Sequence, residues 1–193
     1  MNTSRASVNA ALLITGFAVI YAGGSALAGW EPSSGWLIQA IIHIGELLAV
    51  VALAFSGVAG HSRRARGGLA AAVVGQASMV AAEAIWPGNP GLGDVLFGVA
   101  PILTGAGLIT AGLAVARARV WAGLSRFLPM ILGLFTILVL IPVMIGSGGP
   151  PAPLALWTIA GWDLLWFTVC VLVLRQGQVV LPRDPATAKV TVR

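Results

Sequence analysis

Six long apolar runs constrain the fold of this chain more than any other feature of its sequence. They cover residues 8–29, 35–58, 67–86, 92–115, 120–146 and 152–175. Because a helix needs about 20 mostly apolar residues to cross a bilayer, each run predicts one transmembrane helix. The first run contains Ala26-Leu27-Ala28, which resembles a signal-peptidase site, and we expect it to be retained as the first helix. The connections are short and rich in Gly, Pro, Ser and Arg, so residues 1–175 are expected to form a single six-helix transmembrane domain of the all-α class.

The composition supports a membrane protein and excludes several other classes. Charged residues make up only 9% of the 193 residues and hydrophobic residues 58%, whereas an average soluble domain has roughly 25% charged residues. A soluble surface could not be covered with so few charges, so an ordinary cytosolic domain, a disordered chain and a nucleic-acid-binding domain are excluded. The single cysteine, Cys170, rules out a disulfide scaffold.

The basic residues predict how the chain is oriented in the membrane. All 11 lie on one side of the six predicted helices, at residue 5, at 63–66, at 117–126 and after residue 174. By the positive-inside rule, this side and both termini are cytoplasmic. We therefore expect a multi-pass protein of the inner (plasma) membrane with a flexible cytoplasmic tail at 176–193, and we attribute the net charge of +5 to topology and not to a nucleic-acid partner.

Three acidic side chains fall within the predicted spans, where solvent is not an obvious partner: Glu46, Glu83 and Asp163. An ionisable group inside a span costs several kcal/mol unless it faces the bundle interior or water, so each is a candidate functional residue. Glu46 and Asp163 each lie 11 residues from the outer end of their run. At a rise of about 1.5 Å per residue, both carboxyl groups are expected roughly 16 Å below the outer surface, near the same level. Glu83 is expected closer to that surface.

Other polar residues share helical faces with these acids. Gln39, His43 and Glu46 are spaced i, i+4 and i+7 in the second run. Gln76 and Glu83 are seven residues apart in the third run. The simplest packing brings these two faces and the acid of the sixth run together in a polar pocket in the outer half of the bundle. The alternative is that each acid hydrogen-bonds a neighbouring helix and only fixes helix packing.

Tryptophan is the second unusual feature, with seven residues against one tyrosine. Four fit the aromatic belts at the membrane surfaces, Trp30, Trp36 and Trp86 at the outer surface and Trp121 at the inner one. Trp162 and Trp166 instead lie near mid-membrane on either side of Asp163. Because an indole face stabilises a desolvated cation by roughly 2 kcal/mol, the pair suits chemistry that makes and holds a carbocation. The alternative is a pair of large core side chains that flank an acid.

Several cofactors and site types do not fit this sequence. His43 is the only histidine within a run, so a bis-histidine haem and a three-histidine zinc site are not expected. No lysine lies within a run to form a retinal Schiff base, and no cysteine pair or phosphate-binding loop is present. We therefore expect no cofactor and no metal. The stretch from Gly105 to Gly112 predicts close helix packing by small residues.

An acid midway along helix two and another in the last helix, flanked by tryptophans, resembles the integral-membrane terpene cyclases. These include the fungal meroterpenoid cyclases, usually described with seven helices, and the small actinobacterial cyclases of indole sesquiterpenoid pathways. The residues that carry this resemblance are Glu46, Asp163, Trp162 and Trp166. His43, Glu46 and Glu83 also look like the His and Glu arrangement of emopamil-binding sterol isomerases. The abundant Ala, Gly, Val and Arg resemble six-helix membrane proteins of high-GC actinobacteria.

The resemblance implies a non-metal terpene cyclase or isomerase. A prenylated, farnesyl-type small molecule would enter from the lipid bilayer, and Asp163 or Glu46, kept neutral by desolvation, would protonate its alkene or epoxide. The two indoles would stabilise the moving cation, and His43 or the second carboxylate would take the final proton. The catalytic residues implied are Glu46, Asp163, His43 and Glu83, and the substrate-binding residues are Gln39, Trp162, Trp166, Trp86 and Gln76.

Two other functions stay open. In a proton-coupled small-molecule transporter, the same acids would be proton sites of an alternating-access cycle. The small size of the chain and its lack of an internal repeat argue against a transporter, although a homo-oligomer would supply both the size and the repeat. In a non-catalytic membrane scaffold, the acids would only join helices. A cyclase should have a closed apolar cavity with an acid at its end, a transporter a polar path to both faces, and a scaffold direct pairing of each acid.

Overall fold

The computed structural model describes residues 3–29, 32, 34–147 and 152–179. The expectations for Trp30 and for residues 180–193 of the predicted tail lie outside these residues. The described chain forms six helices, each long and apolar enough to cross a membrane, and contains no strand. They are α1 (Thr3–Ala28), α2 (Gly35–Phe55), α3 (Arg63–Ile85), α4 (Pro90–Ala118), α5 (Gly123–Ser147) and α6 (Pro153–Val179). This confirms the prediction of an all-helical protein with six candidate spans.

Side-chain caps fix two helix starts that hydropathy alone places too late. α3 begins at Arg63, four residues before the predicted run, because the Ser62 hydroxyl accepts a hydrogen bond from the Ala65 N–H at 3.1 Å. α4 begins at Pro90, where the Asn89 side chain accepts from the Leu92 N–H at 3.2 Å. The arginines expected in the connection therefore belong to the first turn of α3.

The helices pack against their neighbours in chain order, and α6 closes the bundle against α1. α2 also contacts α6, so the second and last helices meet inside the bundle. Large apolar side chains remain exposed on the outer surface, including Leu13, Ile20 and Leu138. Polar side chains are buried inside, which is the distribution expected of a bundle surrounded by lipid.

Glycines bring α3, α4 and α5 into backbone contact, which confirms the prediction made for the Gly-rich stretch of α4. A Cβ atom on Gly107 would lie 2.5 Å from the Gly68 carbonyl oxygen, and one on Gly68 would lie 2.7 Å from the Gly107 carbonyl oxygen. On the side of α4 that faces α5, a Cβ on Gly133 would lie 2.6 Å from the Gly105 carbonyl oxygen. No larger residue fits at these positions without separating the helices.

α5 changes its winding along its length. It starts as a 3₁₀ turn, continues as an α-helix over Leu128–Phe135, widens to a π-helix over Thr136–Leu140 and ends as an α-helix. The Ile141 N–H bonds the Thr136 carbonyl, five residues back. Pro142 follows directly and has no N–H to restore the ordinary bonding pattern. Single π turns of this kind often occur at functional sites.

The end of the bundle that holds the α2–α3 and α4–α5 connections and the last turns of α6 is called the arginine-rich end below. Trp121 lies there, as predicted, but it is buried and donates its indole N–H to the Gln176 Oε1 at 2.7 Å. It joins the α4–α5 connection to α6 and is not a lipid-facing belt residue. Trp36 and Trp86, at the opposite end, are each nearly half exposed, as a belt requires.

Candidate functional site

Four ionisable side chains from three helices meet inside the bundle, and we call them the acid–imidazole cluster. They are His43 and Glu46 of α2, Glu83 of α3 and Asp163 of α6. The His43 Nδ1 lies 2.7 Å from the Glu46 Oε2, and its Nε2 lies 3.7 Å from the Glu83 Oε1. The imidazole therefore bridges two carboxyl groups on different helices. The structure brings together the four residues that the sequence singled out as catalytic.

The local sequence of α2 explains why His43 and Glu46 face inward together. The two residues are one helical turn apart, so their side chains lie on one face and hydrogen-bond each other. Between them, Gly45 packs against the side chain of Ile14 on α1, where a Cβ atom would collide. This close approach of α1 fixes the rotation of α2 and directs the polar face toward α3 and α6.

Asp163 completes the cluster from the last helix. Its residue is 1% exposed and Glu46 is 0% exposed. The Asp163 carboxyl group is close enough to Glu46 and His43 to interact with both. Among the described residues, however, the two Asp163 oxygens and the Glu46 Oε1 have no hydrogen-bond partner of normal geometry. Two facing carboxyl groups in such a place are arranged to hold a proton between them.

Charge balance requires that the cluster hold protons. In the part of the chain that the structure describes, no arginine or lysine forms an ion pair with these groups, whose only ion pairs are with each other. Fully ionised, one imidazolium and three carboxylates would carry a net charge of −2. Each uncompensated buried charge costs several kcal/mol. The buried cluster therefore contains both proton donors and proton acceptors at short distances.

Two indoles line the cluster. The Trp162 ring meets the His43 ring edge-on, with centroids 6.3 Å apart, and the Trp166 ring meets Trp162 in the same manner at 6.1 Å. The Trp162 indole N–H donates to the Thr136 hydroxyl at 2.9 Å, at the π turn of α5. Trp166 is completely buried, and its N–H has no partner among the described residues. Trp162 thus borders the cluster at His43, and Trp166 lies behind Trp162.

The remaining residues expected at the site are placed differently. Gln76 is completely buried on α3, and neither atom of its amide has a hydrogen-bond partner within the described residues. Gln39 is half-buried on α2, one helical turn before His43 and so closer to the end of the bundle opposite the arginine-rich end. Trp86 is 46% exposed and donates its indole N–H to the Asp94 Oδ1 at 3.0 Å. Trp86 therefore belongs to the α3–α4 connection and does not join the cluster.

Sequence reasoning missed two residues beside the cluster. Thr136 positions Trp162, and its own hydroxyl donates to the Leu132 carbonyl at 2.8 Å. A threonine in an apolar run gives no signal by itself, although the proline six residues later hints at irregular winding. Cys170 lies seven residues after Asp163 on the same face of α6, close to Thr15 and within the electrostatic reach of Glu46. It extends the buried polar row toward the arginine-rich end.

Comparison with known proteins provides no relative from which a function could be transferred. No protein-family model, curated protein or solved structure matches this chain. Within the described ranges, no group of three or more His, Cys, Asp and Glu side chains has the geometry to hold a metal ion. The argument for a function therefore depends on the acid–imidazole cluster and its two indoles.

Proposed function

We propose that this protein is an integral-membrane terpene cyclase or isomerase that protonates an alkene or epoxide of a farnesyl-type substrate. The observation that carries the proposal is the buried Asp163 carboxyl group. Neither of its oxygens has a hydrogen bond of normal geometry with a described residue, and it interacts with the His43–Glu46 pair, against which the Trp162 ring packs. Proton donors and acceptors thereby lie next to an indole ring, among side chains that are buried inside the bundle.

The first chemical step is proton transfer from the Asp163–Glu46 pair to the substrate. The proton adds to a terminal alkene carbon, whose π electrons form the new C–H bond, or to an epoxide oxygen, whose C–O bond then breaks. Either route leaves a carbocation on the substrate and a negative charge on the carboxyl pair. General acid catalysis by a positioned group typically contributes about 10²–10⁴-fold to the rate.

Ring closure and proton return complete the reaction. The next double bond attacks the cation and forms a C–C bond, for which a folded substrate in a fitted pocket supplies the proximity. A carbon next to the last cation loses a proton to the His43 imidazole or to the second carboxylate, and an alkene forms. Because His43 contacts Glu46 at 2.7 Å, the proton can return to the carboxyl pair within the cluster. Substrate and product have the same mass.

The indoles stabilise the intermediate cations. A desolvated cation over an indole face gains roughly 2 kcal/mol or more. The hydrogen bond from Trp162 to Thr136 holds one of these rings at a fixed angle. A pocket that fixes its aromatic faces favours one folding of the polyene over others.

The acids separate this function from that of a scaffold through what their loss would change. If Asp163 and Glu46 only joined α6 to α2 by sharing a proton, their removal would lower stability without affecting product formation. In our proposal the lipophilic substrate enters from the bilayer, and the arginine-rich end and both termini face the cytoplasm of a cell with this protein in its plasma membrane, an orientation that the placement of the basic residues supports.

The proposal is tested by incubating the protein in lipid nanodiscs with a farnesylated indole and with its terminal epoxide. We expect a cyclic isomer of unchanged mass in chromatography and mass spectrometry. In D₂O the alkene substrate should gain one deuterium on carbon, whereas the epoxide should gain none that survives chromatography in water, because its deuteron adds to oxygen and exchanges. Asp163→Asn and Glu46→Gln should abolish the product. Asp94→Asn, which removes a carboxylate outside the cluster, should leave the rate unchanged.

A transporter predicts a different result with the same variants. If no isoprenoid substrate gives a product, and if the protein in liposomes instead takes up a small solute together with protons, the enzyme proposal is wrong. Loss of that uptake in Asp163→Asn would then assign the cluster to a proton-coupled transport cycle.

A further inference from the structure

A cleft of about 500 Å³ opens at the arginine-rich end, between the α2–α3 connection and the last turns of α4. His61, Ser62 and Arg64 line it on the first side, and Leu113 and Arg117 line it on the other. The guanidinium-bearing residues Arg64 and Arg117 are both exposed. Two arginines from separate helices thus converge on one concave surface, away from the acid–imidazole cluster.

The positive charge of this cleft has no counter-charge within the described part of the protein. No described arginine forms an ion pair, since the ion pairs of that part involve only the acid–imidazole cluster. Among the described residues, Asp94 is the one acid outside the cluster, and it lies near the opposite end of α4. Within the described residues, Arg64 and Arg117 therefore have no acidic partner and are placed to pair with an anion from another molecule.

The backbone adds donors that suit a phosphate group. The first N–H groups of a helix have no partner within the helix, and the positive end of the helix dipole lies beside them. At the start of α3, the Ser62 side chain satisfies only the Ala65 N–H, and both Ser62 and Arg64 line the cleft. Backbone N–H groups and guanidinium groups together make a site for a phosphate that accepts two hydrogen bonds from one arginine.

The connection that carries this side of the cleft is braced by its own hydrogen bonds. Gly57 and Gly60 adopt positive φ angles of 73° and 69°, and the Gly60 N–H bonds the Gly57 carbonyl at 2.9 Å. The Arg66 guanidinium donates twice to the His61 carbonyl oxygen, at 3.0 and 3.2 Å. These internal bonds favour the loop geometry that forms the cleft, and such preorganisation reduces the entropy lost on binding.

We propose that this cleft binds the phosphate of an anionic membrane lipid. The apolar wall of the cleft favours a lipid over a free phosphate ion. Leu113 is 41% exposed on α4, so its apolar surface continues from the cleft onto the outside of the bundle. The arginines lie at the end of the bundle, and Leu113 lies one helical turn further into it than Arg117. This order matches that of a lipid, whose charged headgroup lies outside its acyl chains. The site does not depend on the proposed enzyme function.

The test uses the full chain, purified and analysed by native mass spectrometry with phosphatidylglycerol or phosphatidylcholine. We expect the protein to retain one phosphatidylglycerol molecule in preference to phosphatidylcholine. The double variant Arg64→Gln/Arg117→Gln should bind it about tenfold more weakly. The control Arg119→Gln/Arg175→Gln removes the same charge at the same end but outside the cleft, and it should bind within about twofold of wild type.

Three results would overturn the proposal. Equal weakening in the cleft and control variants would show diffuse attraction to the arginine-rich end. Equal retention of the two lipids would show that the headgroup charge is not recognised. Binding of inorganic phosphate as tight as that of the lipid, and competitive with it, would assign the cleft to a soluble phosphate. Because Arg64 and Arg117 are exposed, the variants should keep the wild-type helical content, which circular dichroism checks.

Discussion

The α3–α4 interface and the α2–α6 interface join helices in opposite ways. α3 and α4 touch through glycine backbones, so that a Cβ atom at Gly107 would meet the Gly68 carbonyl at 2.5 Å. α2 and α6 are held further apart, and the space between them is filled by ionisable and aromatic side chains. The first interface resembles a rigid support, and the second contains groups suited to chemistry.

In this small bundle, the contacts that hold helices together and the groups suited to chemistry therefore lie in separate interfaces. Backbone contact between helices gives dense packing without any polar group, which is how helices associate in a lipid environment. A buried acid without a partner contributes nothing comparable to stability. We therefore expect substitutions in the two interfaces to affect different measurements.

The largest effect is expected from the carboxyl pair. Asp163→Asn should lower the rate of product formation by at least about 100-fold, because the group that donates the proton is removed. If the Asp163–Glu46 pair acts as a unit, the double variant Asp163→Asn/Glu46→Gln should lose no more than the worse single variant. The measurement is the initial rate in nanodiscs. If the rate loss in the double variant equals the product of the losses in the two single variants, the two acids act independently.

The next effect is expected in the glycine interface and on stability. Gly107→Leu should lower the free energy of unfolding by about 2–3 kcal/mol, because its side chain meets the α3 backbone. Gly98→Leu is the matched control on the same helix, since nothing lies within 4 Å of a Cβ at Gly98. Denaturant unfolding in detergent measures both. An unchanged stability of Gly107→Leu would show that α3 and α4 can separate without loss.

The two interfaces were not equally predictable from the sequence. The small residues of α4 predicted close helix packing, because only small side chains allow two helix backbones to touch. The structure confirms this packing. The helices themselves followed from run length and hydropathy. The caps at Ser62 and Asn89 shifted the helix starts, because hydropathy reports apolar surface and not hydrogen bonds.

The candidate site was predictable as a set of residues but not as a geometry. Helical spacing placed His43 and Glu46 on one face, and counting placed Asp163 at a similar depth. Neither could show that α2 meets α6, which depends on how the whole ring of helices closes. The role of Trp86 could not be foreseen either, because its bond to Asp94 depends on the turn between α3 and α4. Pro142 hinted at irregular winding in α5 but did not place the π turn at Thr136.

A smaller effect is expected from the indole beside His43. Trp162→Phe keeps an aromatic ring but removes the larger face and the bond to Thr136. The rate of product formation should fall about tenfold, consistent with the loss of part of a cation–π contribution. Trp157→Phe changes an indole that is 51% exposed on the same helix and should leave the rate unchanged. Equal effects of the two variants would remove the argument for cation stabilisation at Trp162.

The smallest effect is expected from Thr136→Val, which keeps the shape of the side chain and removes its hydroxyl. The Trp162 N–H then has no acceptor, so the indole is free to rotate and the substrate is folded less uniformly. We expect a loss of rate of only a few-fold, on the order of 1 kcal/mol, together with additional cyclic isomers in the product mixture. Thr168→Val serves as the control, because the Thr168 hydroxyl bonds the Leu164 carbonyl of its own helix. An unchanged product distribution in Thr136→Val would mean that packing alone orients Trp162, and that the π turn of α5 belongs to the support and not to the chemistry.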